Sequence, residues 1–374
     1  MIAPPKIQYC TRCVYPSTAA TPLTFDSDGV CSGCLTHAEQ KKIDWKERAE
    51  WFLELCNEYR GKGYYDCLIP VSGGKDSFYQ IHVLKSFSMN PLLVTYNENN
   101  ETDLGKRNIQ RMKETFGCDY INFTPSIHVL KRMNRVGFLK MGDPDMHAHI
   151  GINSVPIQMA VKYSIPLIIW GEHGFMNLGG MHSYRDMVEY TARFRKEHLN
   201  HGYDWQDFVG VEGLTERDLG CFKYPSDAYI DRVGIRGIFI SNYFGWNQNR
   251  HSEEMRRRYG FEYASHPFDR TYKLDSNLNN FHDNGLHDYM KYIKFGYGRA
   301  TDHASRDIRN GDMTRKEGVQ LVRRFDGVFP SDVPRWLNYV GMDYQEFSAT
   351  VDGFRSPKVW IKNEYGQWIK DELH

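Results

Sequence analysis

The sequence predicts an α/β fold built on a doubly wound parallel sheet. Between residues 61 and 240, short apolar runs alternate with amphipathic stretches. The first apolar run ends in a glycine turn that opens a helix, which is the strand–turn–helix order of such sheets. A pair of Cys-x2-Cys knuckles within residues 1–36 sets the N-terminus apart as a separate module.

Each element has its own signal. Asp66-Cys67-Leu68-Ile69-Pro70-Val71 reads as the first strand, with Pro70 acceptable only near a strand end or bulge. The helix after it carries Phe78, Ile81, Leu84 and Phe87 at near-helical spacing. Residues 92–96 read as the second strand, followed by a helix with Leu104, Ile109, Met112 and Phe116. Residues 120–123 read as the third strand, 149–163 as a helix, and 167–170 as the fourth strand. Strands separated by helices imply a parallel sheet covered on both faces. Residues 235–240 are a further strand candidate, and Trp360 and Trp368 are placed to dock the tail onto the core. The chain therefore divides into a four-cysteine module at 1–36, a linking helix at 37–60 and an α/β domain at 61–240. That domain holds an insertion at about 175–230 that is expected to line the site. A mostly helical substrate-binding region covers 241–374.

Composition narrows the function. The 374 residues are 41% hydrophobic and 25% charged, ordinary for a globular protein. Lys plus Arg and Asp plus Glu number 47 each, so net charge gives no reason to expect nucleic acid or an anionic membrane. No apolar run approaches the roughly 18 residues that span a bilayer, and residues 1–9 lack a secretory h-region. The Lys-Asp-Glu-Leu at 370–373 is followed by His374 and is not a terminal retention signal. The expected location is the cytoplasm, where cysteine patterns signify metal or chemistry before disulfides.

Ser72-Gly73-Gly74-Lys75-Asp76-Ser77 lies between a predicted strand and a predicted helix. A helix N-terminus exposes unpaired N–H groups and a positive dipole end, and glycines let a phosphate approach the backbone. Ser72 and Ser77 can donate hydroxyls, Lys75 offers a charge to phosphate, and Asp76 is placed to hold Mg²⁺. The spacing is not that of the Walker loop. Glu172, in Trp170-Gly171-Glu172-His173-Gly174 at the end of the fourth strand, is the candidate second Mg²⁺ ligand. Tyr96, at the end of the second strand, would face a bound nucleoside by the same geometry.

Cys10 and Cys13 form one knuckle and Cys31 and Cys34 the other, a spacing that fits a closed, structural Zn²⁺ site. A segment so poor in large apolar residues needs metal as a staple. Cys56, Cys67, Cys118 and Cys221 form no further pair and read as packing residues.

Two segments beyond the loop carry a family resemblance: Tyr9-Cys10-Thr11-Arg12-Cys13-Val14 with Asp28-Gly29-Val30-Cys31-Ser32-Gly33-Cys34, and the late run from Lys294 to Ser305. The loop itself resembles that of PP-loop ATP pyrophosphatases, of adenine nucleotide α-hydrolase-like fold. The whole combination resembles the N-acetyl sugar amidotransferases. The resemblance implies that ATP adenylates the acetamido oxygen of a nucleotide-linked or sialic-acid-like N-acetylated sugar. Ammonia then displaces AMP, leaving an acetamidino sugar for a bacterial surface glycan such as O-antigen, capsule or flagellin glycan. In this picture Lys75, Asp76 and His303 are catalytic. Arg299, Asp302, His303 and Arg306 share one helical face that can bind a sugar carboxylate or diphosphate, and His303 can move a proton from ammonia. A self-satisfied ion-pair network between helices is the plainer reading of that cluster.

The nucleophile must be neutral NH3, yet no glutaminase is legible. Residue 2 is Ile2, and neither Cys118 nor Cys221 sits in a Gly-x-Cys-x-Gly turn. The resemblance implies separate glutaminase and ammonia-channelling subunits similar to those of imidazole glycerol phosphate synthase. A PP-loop tRNA thiolation enzyme is the alternative. It lacks support from the neutral charge balance and the scattered remaining cysteines.

Overall fold

Five strands form one parallel sheet in the computed structural model, which describes residues 3–279 and 281–374; Ile2 lies outside them. The strands are β1 (Cys67–Pro70), β2 (Pro91–Tyr96), β3 (Tyr120–Phe123), β4 (Leu167–Trp170) and β5 (Arg236–Phe239). Their order is β3-β2-β1-β4-β5, so the direction of winding reverses between β1 and β4. Cys67 pairs with Pro91 and Leu68 with both Leu92 and Ile168. Crevices at such a reversal, beyond the carboxyl ends of the strands, are where open α/β sheets bind ligands.

Side chains alternate between the two faces, as the period of a strand requires. Leu68, Leu92, Val94 and Ile168 pack under the helices Ile127–Met141 and Met146–Tyr163. Cys67, Ile69, Leu93 and Ile169 pack on the other face with Phe52, Phe78, Ile81 and Leu84. Both faces are buried, which explains why the strands read as unbroken apolar runs. Pro70 is the last residue of β1, where the missing N–H costs the ladder least.

Three expectations change. The stretch 37–60 is not one helix: Ser32–Glu39 and Trp45–Tyr59 are separate, joined by a short 3-10 turn. Asp44 makes the break, because its carboxylate caps the second helix by accepting from the amides of Lys46 and Glu47. The helix expected at 149–163 begins at Met146. The segment 175–230 borders the site only at its start. Its later part buries Phe194, Phe208, Leu214, Leu219 and Phe222 in the core beside the helix Met146–Tyr163. That apolar content was spread among polar and glycine positions and so showed no period.

The C-terminal region is helical, with Phe281–Phe295, Arg299–Asn310, Arg315–Phe325, Val333–Val340 and Tyr344–Gly353. Trp336 and Phe347 seat it on Phe138 of the α/β domain, the two phenyl rings stacking at 5.4 Å. The tail closes as an antiparallel hairpin of β6 (Trp360–Lys362) and β7 (Trp368–Lys370). Trp360 is buried there and donates its indole N–H to the Ile293 carbonyl at 2.7 Å. No helix among the described residues is long and apolar enough to cross a membrane.

Candidate active site

The glycine loop leaves β1 and opens the helix Lys75–Ser86 at the point where the sheet reverses. Ser77 Oγ accepts the Ser72 amide at 2.9 Å, which coils the loop over the helix end. Gly73 has φ +76°, and a Cβ there would lie 2.4 Å from Ile109 Cγ1. Both the conformation and the space therefore demand glycine. Gly74 caps the helix without a side chain, so the first-turn N–H groups keep their capacity to bind an anion.

An open cleft of about 810 Å³ lies over the ends of β1, β2 and β4, lined by Ser72, Asp76, Tyr96, Glu98, Ile152 and Trp170. Tyr96 borders it as expected, but its hydroxyl is taken by His147 Nδ1 at 2.9 Å. A second, polar cleft of about 440 Å³ is lined by Glu172, Gln248, Lys273, His303, Arg306 and Arg309 among others. Asp76 borders the first cleft and Glu172 the second, and each acts on the charge of Lys75.

Burial opposes the Lys75 ammonium, yet Asp76, Asp275 and Glu172 together hold its pKa above the ordinary value. Asp76 Oδ2 lies 3.4 Å from Lys75 Nζ, while its Oδ1 is buried with no hydrogen-bond partner among the described residues. An orphaned carboxylate oxygen beside the glycine loop fits a Mg²⁺ ligand. Glu172 is less free. Its Oε1 accepts from Arg306 at 2.8 Å and Gln248 at 2.9 Å, and its Oε2 from Asn177 at 3.1 Å. Burial raises its pKa, Arg306 opposes that, and Asp76 adds to it. A metal at Glu172 requires Arg306 to give way.

The face expected to bind substrate splits in two. Arg306 and His303 reach the polar cleft. Arg299 and Asp302 do not, which corrects the sequence reading. Arg299 Nη2 pairs with Asp288 at 2.9 Å, and Asp288 also faces Arg270 at 3.6 Å. Asp302 accepts from the Tyr15 hydroxyl at 2.5 Å and from Lys291. Charges buried this deeply must be paired, and here they pair with one another. His303 is buried against Thr271 Oγ1 at 2.6 Å. Burial, reinforced by Arg299, Arg306, Lys273 and Lys75, holds its pKa well below the ordinary value. Such an imidazole is neutral and a weak base, which disfavours the proton-accepting role expected for it.

Cys10, Cys13, Cys31 and Cys34 bring their sulfurs within 4.8 Å of one another in a buried cluster, and all four are free of disulfides. Arg309 aims its guanidinium at them: Nε lies 3.4 Å from Cys34 Sγ and Nη2 3.5 Å from Cys31 Sγ. A cation directed at converging sulfurs fits thiolates, the form that binds Zn²⁺. Arg315 adds a hydrogen bond to the Cys13 carbonyl at 3.1 Å. The module thus stands on the helix Arg299–Asn310, whose Arg306 enters the polar cleft.

Sequence reasoning missed Lys273 and Gln248. Gln248 opens the helix Gln248–Tyr259 and Lys273 lies in the irregular chain after it, and neither belongs to a motif. Lys273 Nζ lies 2.7 Å from Asp307 Oδ2, and Gln248 holds both Glu172 and Arg306.

Residues 268–372 match the family described as LPS biosynthesis protein WbpG-like, C-terminal domain. This segment supplies Lys273, His303 and Arg306. An uncharacterized protein of Methanocaldococcus jannaschii is 33% identical over 86 residues, which is 23% of this chain and 31% of that relative's length. Among solved structures, the NH3-dependent NAD synthetase of Campylobacter jejuni aligns with a TM-score of 0.30 and 14% identity, over 51% of this chain and 92% of that one. A predicted subunit of tRNA methyltransferase from Methanocaldococcus jannaschii aligns with a TM-score of 0.26 and 15% identity, over 56% and 81%.

Proposed function

We propose that the chain is an ATP-dependent, AMP-forming amidotransferase that converts the acetamido group of an N-acetylated sugar into an acetamidino group for a surface glycan. One observation carries this reading: the WbpG-like segment sends Arg306 to Glu172, beside the Lys75–Asp76 pair of the glycine loop. On this reading a nucleotide-binding turn and a glycan-biosynthesis segment would work side by side, across the two neighbouring clefts.

The residues divide the work. Gly73, Gly74, Ser72 and Ser77 would cradle the pyrophosphate at the helix N-terminus. Lys75 and Arg306 would neutralise the charge it gains on leaving. The adenosine would lie in the open cleft beside Tyr96 and Trp170. Asp76 would hold Mg²⁺, which supplies charge neutralisation for the phosphates, and Glu172 is a second ligand only if released by Arg306. His303, kept neutral, would donate or accept a fixed hydrogen bond to the acceptor. The amide oxygen is a poor leaving group, and adenylation turns it into AMP, a good one. Zn²⁺ on the four cysteines would be structural, because a closed site leaves no position for substrate.

The nitrogen must arrive as NH3, and neither Cys118 nor Cys221 has a glutaminase setting. We therefore assign its supply to a separate glutaminase and ammonia-channelling partner. The test is mass spectrometry of N-acetylated nucleotide sugars and sialic-acid-like sugars incubated with the chain, ATP and ammonium salt at raised pH. Replacement of the acetamido oxygen by NH is the expected product. Efficient use of glutamine by the chain alone would refute the partner.

A further inference from the structure

A second cluster of metal-ligating side chains lies apart from both the cysteines and the glycine loop. Asp143 sits in the turn between the helices Ile127–Met141 and Met146–Tyr163, His149 is in the first turn of the latter, and His287 is on Phe281–Phe295. Asp143 Oδ1 is 2.8 Å from His287 Nδ1, and Oδ2 is 3.4 Å from His149 Nε2. One ligand atom from each residue lies within 4.8 Å of the other two. Ligands about 2.0–2.2 Å from a tetrahedral ion are about 3.3–3.6 Å apart. Small side-chain shifts therefore bring all three onto one ion.

We propose that Asp143, His149 and His287 form an open site for a divalent transition metal, Zn²⁺ by its donor set, with a free position for an oxygen ligand. Two imidazoles and one carboxylate are the ligand types of catalytic rather than structural zinc. Asp143 is buried, but His149 and His287 keep side-chain exposures of 31% and 21%, so solvent or a small molecule reaches the ion. A third acidic oxygen stands close by: Asp145 Oδ2 is 3.9 Å from His287 Nδ1.

Position gives the site its meaning. His149 shares a helix face with Ile152 and Pro156, which line the open cleft. Glu98 borders the same cleft and its charge acts on His149. An ion here would stand at the outer end of that cleft and present its open position to an oxygen of a small-molecule acceptor. It would also tie the α/β domain to the WbpG-like segment, since His287 belongs to the latter. The metal site does not rest on the amidotransferase reading.

The competing arrangement is a carboxylate that simply holds two imidazoles by hydrogen bonds. Co²⁺ separates the two. The full chain, with its cysteines loaded with zinc, is titrated with Co²⁺ and followed by visible absorption and metal analysis. The expected result is one further equivalent of Co²⁺, with d–d bands and no sulfur-to-cobalt charge transfer. His149→Ala and His287→Ala should each weaken it at least tenfold and leave the zinc content unchanged. X-ray absorption of the cobalt-loaded wild type should show imidazole nitrogen and oxygen but no sulfur, and this needs no variant to fold. A folded wild-type chain that takes no Co²⁺ beyond the cysteine metal overturns the proposal. Binding that survives both substitutions, or that shows sulfur ligation, overturns it too.

Discussion

Arg309 Nη2 lies 3.5 Å from Cys31 Sγ, and its Nη1 donates to the Asn177 carbonyl at 2.7 Å. One guanidinium therefore links the cysteine cluster to the short helix Gly174–Gly179 that follows Glu172. Arg309→Leu should weaken zinc retention by about 10–100-fold, as removal of an outer-shell partner does. Chelator competition measures it. Unchanged zinc release would mean that the guanidinium does not support the thiolates.

Gly73→Ala tests the loop itself. Its φ of +76° and the 2.4 Å approach to Ile109 both oppose a methyl group. We expect a stability loss of about 1–3 kcal/mol and loss of ATP binding. Full ATP affinity in a folded Gly73→Ala chain would exclude this loop as the phosphate cradle.

Two arginines on one helix should behave oppositely. Arg299 is held by buried Asp288, so Arg299→Met leaves that carboxylate with only the longer Arg270 contact and should cost about 1–3 kcal/mol in stability. Arg306 faces the cleft and Glu172, so Arg306→Gln should reduce turnover much more than it lowers the melting temperature. Denaturant unfolding and steady-state kinetics on both variants check the contrast; reversed effects would contradict the placement of these side chains.

Acid should destabilise the fold before ordinary carboxylates protonate. Burial holds His147 at about 3 and His173 and His251 at about 4, against about 6.5 in an unfolded chain. Folded pKa values below the unfolded value favour the neutral imidazole. Their contribution is thus present above about pH 6.5 and is lost as pH falls toward about 4 and below. Melting temperature against pH should fall across that window, and a flat profile there would contradict the burial of these rings.

Much of this was legible in the sequence because it depends on local rules. Strand β3 and β4 ended where their apolar runs ended, and the glycine loop stood between a strand and a helix. The four cysteines were readable from spacing alone. Asp44 was not, because a single capping carboxylate outweighed a continuous helical pattern. Nor were the fates of Arg299 and Arg306, which share a helix face. Asp288 on the preceding helix Phe281–Phe295 decides one, and Glu172 just after β4 decides the other. Lys273, Asp143 and His287 meet their partners only through tertiary packing, and no short-range pattern announces them.

The proposed function requires that the glycine loop expel pyrophosphate. ³¹P NMR of the chain with ATP, Mg²⁺, ammonium and N-acetylated acceptor sugars tests it most directly. AMP and pyrophosphate should form in equal amounts, only with acceptor present, and Asp76→Ala and Lys75→Ala should abolish both while the fold stays intact. ADP and inorganic phosphate as the products would contradict the account.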